Sequence, residues 1–426
     1  MIRRIASTES SQIVTVAGVA LSMALFVAMI LYPMVYIQGF LFIRPLLEPL
    51  SSYQLLAGFP VPGLISGLNI ICLIVWTIMG RMRRLLLPNS LPVYLLIFLG
   101  SLSLINSPFI NISVAHMLRL MSWLSLGLLV YNCISNRRDI VKVLATISFS
   151  SVIPMFVGFV QFIVHRGEVD PVKGAFRVQS LFVTTDSWGV FISLCLIATT
   201  FLYVEARSMK MRTLSRTCIP ILVLLLFSLG LTYHRGSWLA LCAAALIALT
   251  IARRFKLVIG SVFVAVLIGL IFHEEIWARF RDLFVKRQYG FNSWDARLIL
   301  WRATLALVPN HLIIGHGVGC GKEILAASRG GLVLVPHNDY LRLLLEVGVI
   351  GFVLYLWFLA GELINAFRMM RRKSLRPVTA ILFGGLTYFC VISFAQNIIY
   401  DVINMGLIFS LLAIFKKRVV FEPKPA

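Results

Sequence analysis

Long apolar runs recur along the whole chain, separated by short segments rich in arginine and lysine, and this alternation restricts the fold more than any single motif does. The runs fall near residues 13–43, 61–80, 91–108, 114–133, 141–164, 187–204, 218–233, 238–252, 257–272, 338–366, 378–394 and 402–415. A bilayer core takes roughly 20 apolar residues per helix, so the pattern predicts an all-α polytopic membrane protein with about twelve transmembrane helices. Several runs are short, which leaves about ten or eleven spans as alternatives. Composition agrees: 59% hydrophobic residues, 13% charged residues and a mean hydropathy of +0.92 exclude a soluble domain of this length. The first run is too long for the h-region of a secretory signal and lacks a small-residue cleavage site, so it reads as the first membrane helix. Residues 1–426 are expected to form a single integral membrane domain, interrupted by a large loop at 273–335.

Orientation follows from the cations, because cytoplasmic loops collect Lys and Arg. With the N-terminus inside, every inner segment is basic: Arg3 and Arg4; Arg81, Arg83 and Arg84; Arg137, Arg138 and Lys142; Arg207, Lys210, Arg212 and Arg216; Arg253, Arg254 and Lys256; Arg368, Arg371, Arg372, Lys373 and Arg376; Lys416, Lys417, Arg418 and Lys424. The net charge of +22 thus has a topological explanation, and a nucleic-acid partner is not expected. The remaining cations need a different account. Arg44, Arg119, Arg166, Lys173, Arg177, Arg235, Arg342 and the basic residues of 273–335 fall on or near the outer side, as do all 7 histidines. Such a gathering suits an anionic substrate, although lipid headgroups would also draw arginines there. Of the 7 cysteines only Cys320 is placed clearly outside the spans, so no disulfide framework is expected.

The loop at 273–335 is too long for a plain connector. In its first part Ile276, Trp277, Phe280, Leu283 and Phe284 recur at helical spacing among charges, which predicts a helix lying in the membrane interface. A second helix is expected from Asn292 or Ser293 towards Pro309, carrying Arg297 and Arg302. The glycine-rich IIGHGVGCGKEI that follows is not a nucleotide loop. A Walker loop needs Gly where His316 stands and Ser or Thr where Glu323 stands, and Cys320 breaks the dinucleotide spacing. Its backbone is nonetheless free to approach a phosphate, or simply to turn.

Arg235 stands in a tight polar turn, TYHRGS, between two apolar runs, and Arg177 sits just ahead of another. A planar guanidinium in such a place can grip phosphate oxygens in bidentate fashion. The segment PHNDYLRLLLEVGVIGFVLYL puts polar groups at the mouth of an apolar run, where ionisable groups are usually functional. Pro336 fixes the chain, Asn338 is a good helix N-cap, and His337 is left just outside the helix entrance, where the positive end of the dipole disfavours imidazolium. Asp339, Arg342 and Glu346 follow on one helix face and can neutralise one another. No histidine pair has metal-ligand spacing with a carboxylate, so no metal site is expected.

Three segments in chain order, HRGSWLAL, DARLILWRATLALVPNHLIIGHGVG and PHNDYLRLLLEVGVIGFVLYL, resemble the O-antigen ligase-like family of membrane glycan transferases. The likeness is specific over the C-terminal half and topological elsewhere. FVTTDSWG stands where members often carry a Pro-Asn pair, and His234 where Ser is commoner, so roles at 182–189 are not carried over. The resemblance implies a C-type glycosyltransferase fold in the bacterial inner membrane, with both termini cytoplasmic and the active site and its helical loop facing the periplasm. It implies a glycan donor on undecaprenyl pyrophosphate, a lipid A-core sugar hydroxyl as acceptor, membrane lipids as surroundings, and no cofactor or metal. Joined to the cation map, it assigns His337 as the catalytic group and Arg235, Arg297 and Arg177 as pyrophosphate-binding residues. Asn338, Asp339 and Arg342 take supporting roles. An O-antigen polymerase is the alternative, and a transporter of lipid-linked glycans a second one, though no internal repeat is evident.

Overall fold

The computed structural model describes residues 2–52, 60–169, 176–256, 258–259, 274, 293–330 and 335–422. But for Val258, Ile259 and Glu274, the run expected at 257–272 and the interfacial helix expected at 273–290 lie outside the described residues, as does Lys173. The helices are α1 Ile2–Leu31, α2 Pro33–Ile43, α3 Val61–Ile78, α4 Leu91–Ser103, α5 Ile110–Cys133, α6 Arg137–Ser150, α7 Val152–Ile163, α8 Thr185–Ser208, α9 Arg212–Leu231, α10 Arg235–Ile251, α11 Ser293–Leu307, α12 Gly321–Ser328, α13 Asp339–Met369, α14 Arg376–Ala395 and α15 Val402–Val420. Glu168–Val169 and Phe176–Arg177 form a two-stranded antiparallel ladder, the only sheet among the described residues. Among the described residues seven helical stretches are long and apolar enough to cross a membrane, with α6 and α7 counted as one, and three shorter apolar helices accompany them. The chain is an all-α, multi-pass membrane protein. The apolar run at 13–43 is two helices rather than one, because Pro33 opens α2 at its first position and Tyr32 before it is pushed out of helical geometry.

The chain divides into two compact units, one made of 1–88, 118–234 and 401–426, the other of 89–117 and 235–400. In the first, α15 is buried on every side from Val402 to Arg418, as a helix apolar all round should be. Trp123 of α5 meets Phe409 at 4.3 Å between ring centroids, and Gly127 leaves room for the Phe409 backbone. Buried polar groups tie the remaining helices: Tyr36 donates to Asn69 at 2.8 Å, Asn69 to Ser122 at 3.2 Å, and Ser122 to the Ser66 carbonyl at 2.6 Å, joining α2, α3 and α5. At one end Glu205 of α8 takes Arg137 at 2.5 Å and Arg418 of α15 at 2.6 Å. In lipid an unmade polar contact has no water to fall back on, so each of these bonds specifies a neighbour.

In the second unit α10 and α14 lie antiparallel and close. A Cβ added to Gly384 would sit 2.8 Å from the Ala244 carbonyl and 3.0 Å from the Ala248 Cβ, while Ser237 and Tyr388 share a hydrogen bond of 3.1 Å. Small residues permit this approach. The long helix α13 is broken at Gly348, which adopts φ 68° and ψ −172°. The orphaned backbone groups are met by the glycine-rich segment before α12. The His316 and Gly317 amides donate to the carbonyls of Leu345 and Glu346 at 3.0 and 2.9 Å, and the Val349 amide donates to Leu312 at 2.8 Å. The segment is therefore a bracket wedged into a broken helix, and not a free turn. Gly348→Ala would place a side chain in the left-handed region and against the Ile313 carbonyl. It is expected to cost on the order of 3 kcal/mol, read as a lowered Tm of the detergent-solubilised protein.

Candidate functional site

The entrance of α13 is set by local chemistry. Asn338 is extended and its side chain accepts the Leu341 amide at 3.1 Å, the N-cap arrangement its sequence position predicts. His337 before it has φ 46°, a backbone region that non-glycine residues enter at a cost and that neighbouring contacts must hold.

Those contacts come from Ala395, the last residue of α14, and the segment after it up to Tyr400. The Ala395 carbonyl accepts the Arg297 guanidinium at 3.1 Å. The Gln396 side-chain oxygen lies 3.3 Å from His337 Nδ1, and the Asn397 side chain accepts the Asn338 amide at 3.2 Å. The amides of Ile398 and Ile399 donate to the fully buried Asp339 carboxylate at 3.0 and 3.4 Å. Tyr400 donates its hydroxyl to Glu346. Residue by residue, this segment is laced to the start of α13. Trp301 of α11 adds a bond to the Pro336 carbonyl at 2.7 Å.

Glu346 is the hub beneath the entrance. It pairs with Arg342 at 2.8 Å and accepts the Gly319 and Gly321 amides at 2.9 and 3.0 Å, while the Arg342 guanidinium lies 4.4 Å from the centre of the Tyr400 ring. Arg342 and Glu346 thus pair as their helical spacing suggests, but Asp339 turns to backbone amides instead. The Gly319 and Gly321 amides, which could have met a phosphate, are filled by this internal carboxylate. Burial, and next the charge of Glu346, push the Cys320 thiol up to about 12.

His337 and Arg297 are brought together around Ala395 and Gln396. Arg235, half-buried, opens α10. The antiparallel pairing of α10 with α14 puts it at the end of that pair where Ala395 and Gln396 emerge. Arg177 belongs to the first unit, where it binds Asp186 at 3.2 Å and the Thr232 carbonyl at 3.3 Å, with His234 3.6 Å from the same Asp186 oxygen. The motifs singled out in the sequence do not include Gln396, Asn397 and Tyr400. The signal available was AQNIIYD, a polar link between two apolar runs.

Residues 220–356 match a family model described as O-antigen ligase. This stretch, less than half of the chain, is similar to that family and contains Arg235, Arg297, His337, Asn338, Asp339 and Arg342, whereas Arg177 and the lacing segment lie outside it. No curated protein matches the chain.

Glu346→Gln leaves the Arg342 charge buried without its partner and is expected to destabilise the protein by about 3 kcal/mol, seen by thermal unfolding in detergent. In a variant that keeps Cys320 as its sole cysteine, the folded protein should resist maleimide at mildly alkaline pH and react once denatured.

Proposed function

We propose that the protein is an O-antigen ligase of the bacterial inner membrane, transferring a glycan from undecaprenyl pyrophosphate to a lipid A-core sugar hydroxyl on the periplasmic side. The observation that carries this reading is the gathering of His337, Arg297 and Arg235 at one end of the second unit, with His337 held in a strained backbone conformation. On the reading of about twelve spans with cytoplasmic termini and basic inner segments, that end faces the periplasm. In the reaction His337 takes the proton of the acceptor hydroxyl as its oxygen attacks the anomeric carbon. The new carbon–oxygen bond forms with inversion, the bond from the anomeric carbon to the phosphate oxygen breaks, and undecaprenyl pyrophosphate departs with the electron pair. Arg235 and Arg297 stabilise the charge that grows on the departing group. Asn338, Asp339 and Arg342 keep the helix entrance in place. Cationic side chains and an already good leaving group make this reading metal-independent.

The test is transfer by the purified, reconstituted protein supplied with undecaprenyl-pyrophosphate glycan, with and without lipid A-core. Acceptor-dependent product is expected, reduced at least about 100-fold in His337→Ala and in Arg235→Ala at equal folding. Elongation of the lipid-linked glycan without lipid A-core would identify a polymerase instead. Full activity in both variants would overturn the assignment of the site, and movement of the lipid-linked glycan with no transfer would identify a transporter.

A further inference from the structure

The catalytic reading of His337 leaves one question that the geometry answers: which ring nitrogen carries the proton. A neutral imidazole holds a hydrogen on one nitrogen and a lone pair on the other, and the partner of the first fixes the second. Gln396 is 7% exposed, its backbone is extended at φ −145° immediately after α14, and its side-chain oxygen faces His337 Nδ1 at 3.3 Å. The residues on either side of Gln396 are tied down as well, Ala395 by Arg297 and Asn397 by the Asn338 amide. The amide is therefore delivered to the ring by a segment whose backbone has little freedom.

We infer that Gln396 is the positioning residue for His337. Its amide oxygen accepts Nδ1–H, which holds the ring as the Nδ1–H tautomer and leaves the lone pair on Nε2, the nitrogen that can then take a proton. The inference rests on the proposed catalytic role of His337 only for its kinetic consequence; the tautomer is a property of the resting protein. When Nε2 gains a proton, the Nδ1–H bond to Gln396 becomes charge-assisted and strengthens, so the same contact helps the ring accept that proton. Gln396 brings no charge of its own. Among the described residues, the ionisable groups on the surrounding elements include Asp295 and Arg297 on α11, Asp339, Tyr340, Arg342 and Glu346 on α13, Cys390 on α14, Tyr400 after it and Arg235 at the start of α10; none is altered in the variants below.

Histidine-selective nitrogen NMR of the full-length protein in lipid nanodiscs tests this directly, with the His337 signal assigned by its loss in His337→Gln. The wild type is expected to show His337 as the Nδ1–H tautomer, Gln396→Met to show a mixture of tautomers, and Gln396→Glu to keep His337 protonated to a pH higher by about one unit. An Nε2–H tautomer in the wild type, or a spectrum unchanged by Gln396→Met in a protein of unaltered Tm, would overturn the inference.

Kinetics add a second reading. Gln396→Met should lower kcat by about tenfold with KM for the lipid-linked donor nearly unchanged, and Gln396→Glu should move the acidic limb of the pH–rate profile upward. Wild-type kcat in Gln396→Met, alongside an inactive His337→Ala, overturns the positioning role. Full transfer by His337→Ala overturns the proposed function instead, and the tautomer spectra then still decide the assignment of Gln396.

Discussion

The arrangement at the head of α13 depends on a backbone segment, Ala395–Tyr400, that after its first residue has no regular structure and spends its polar groups on other helices. In a chain dominated by apolar contacts, every buried amide or carboxylate must find a partner within the protein. Here the partners are consecutive residues on one side and the start of α13 on the other. The strained His337 backbone persists because these bonds over-determine its position. Removing any one of them affects the others, since the same few residues carry both ends of the set.

The broken helix shows the same logic at a second place. Gly348 frees carbonyls and amides that a continuous helix would consume, and the segment around Gly315 and Gly317 consumes them instead. Glu346, two residues earlier, fills the amides of Gly319 and Gly321. Glycine is required because side chains at 315 and 348 would overlap the facing backbone.

Much of the architecture was readable from hydropathy, because apolar length is what a bilayer demands and it leaves a plain trace in the residues. The break at Tyr32 was readable in principle, since Pro33 lies inside the first run. The break at Gly348 was not, as one glycine in an apolar helix hardly alters any average. Asn338 as N-cap and the pairing of Arg342 with Glu346 follow from local spacing, which a sequence displays directly. The partners of His337, Asn338 and Asp339 stand about sixty residues away in sequence, and no periodicity links the two segments. The interior place of α15 was equally hidden: hydropathy tells that a helix avoids water but does not distinguish lipid from protein as its neighbour.

That interior helix bears on the order in which the protein can be assembled. The first unit draws its central helix from 401–426, while the whole second unit is encoded before it. During synthesis α5, α6 and α8 therefore wait in the membrane with the surfaces that α15 will cover still open, and Glu205 waits for Arg418. The unit that is begun first is closed last, which makes the final helix a keystone: until it arrives, the earlier helices lack the neighbour that holds their spacing.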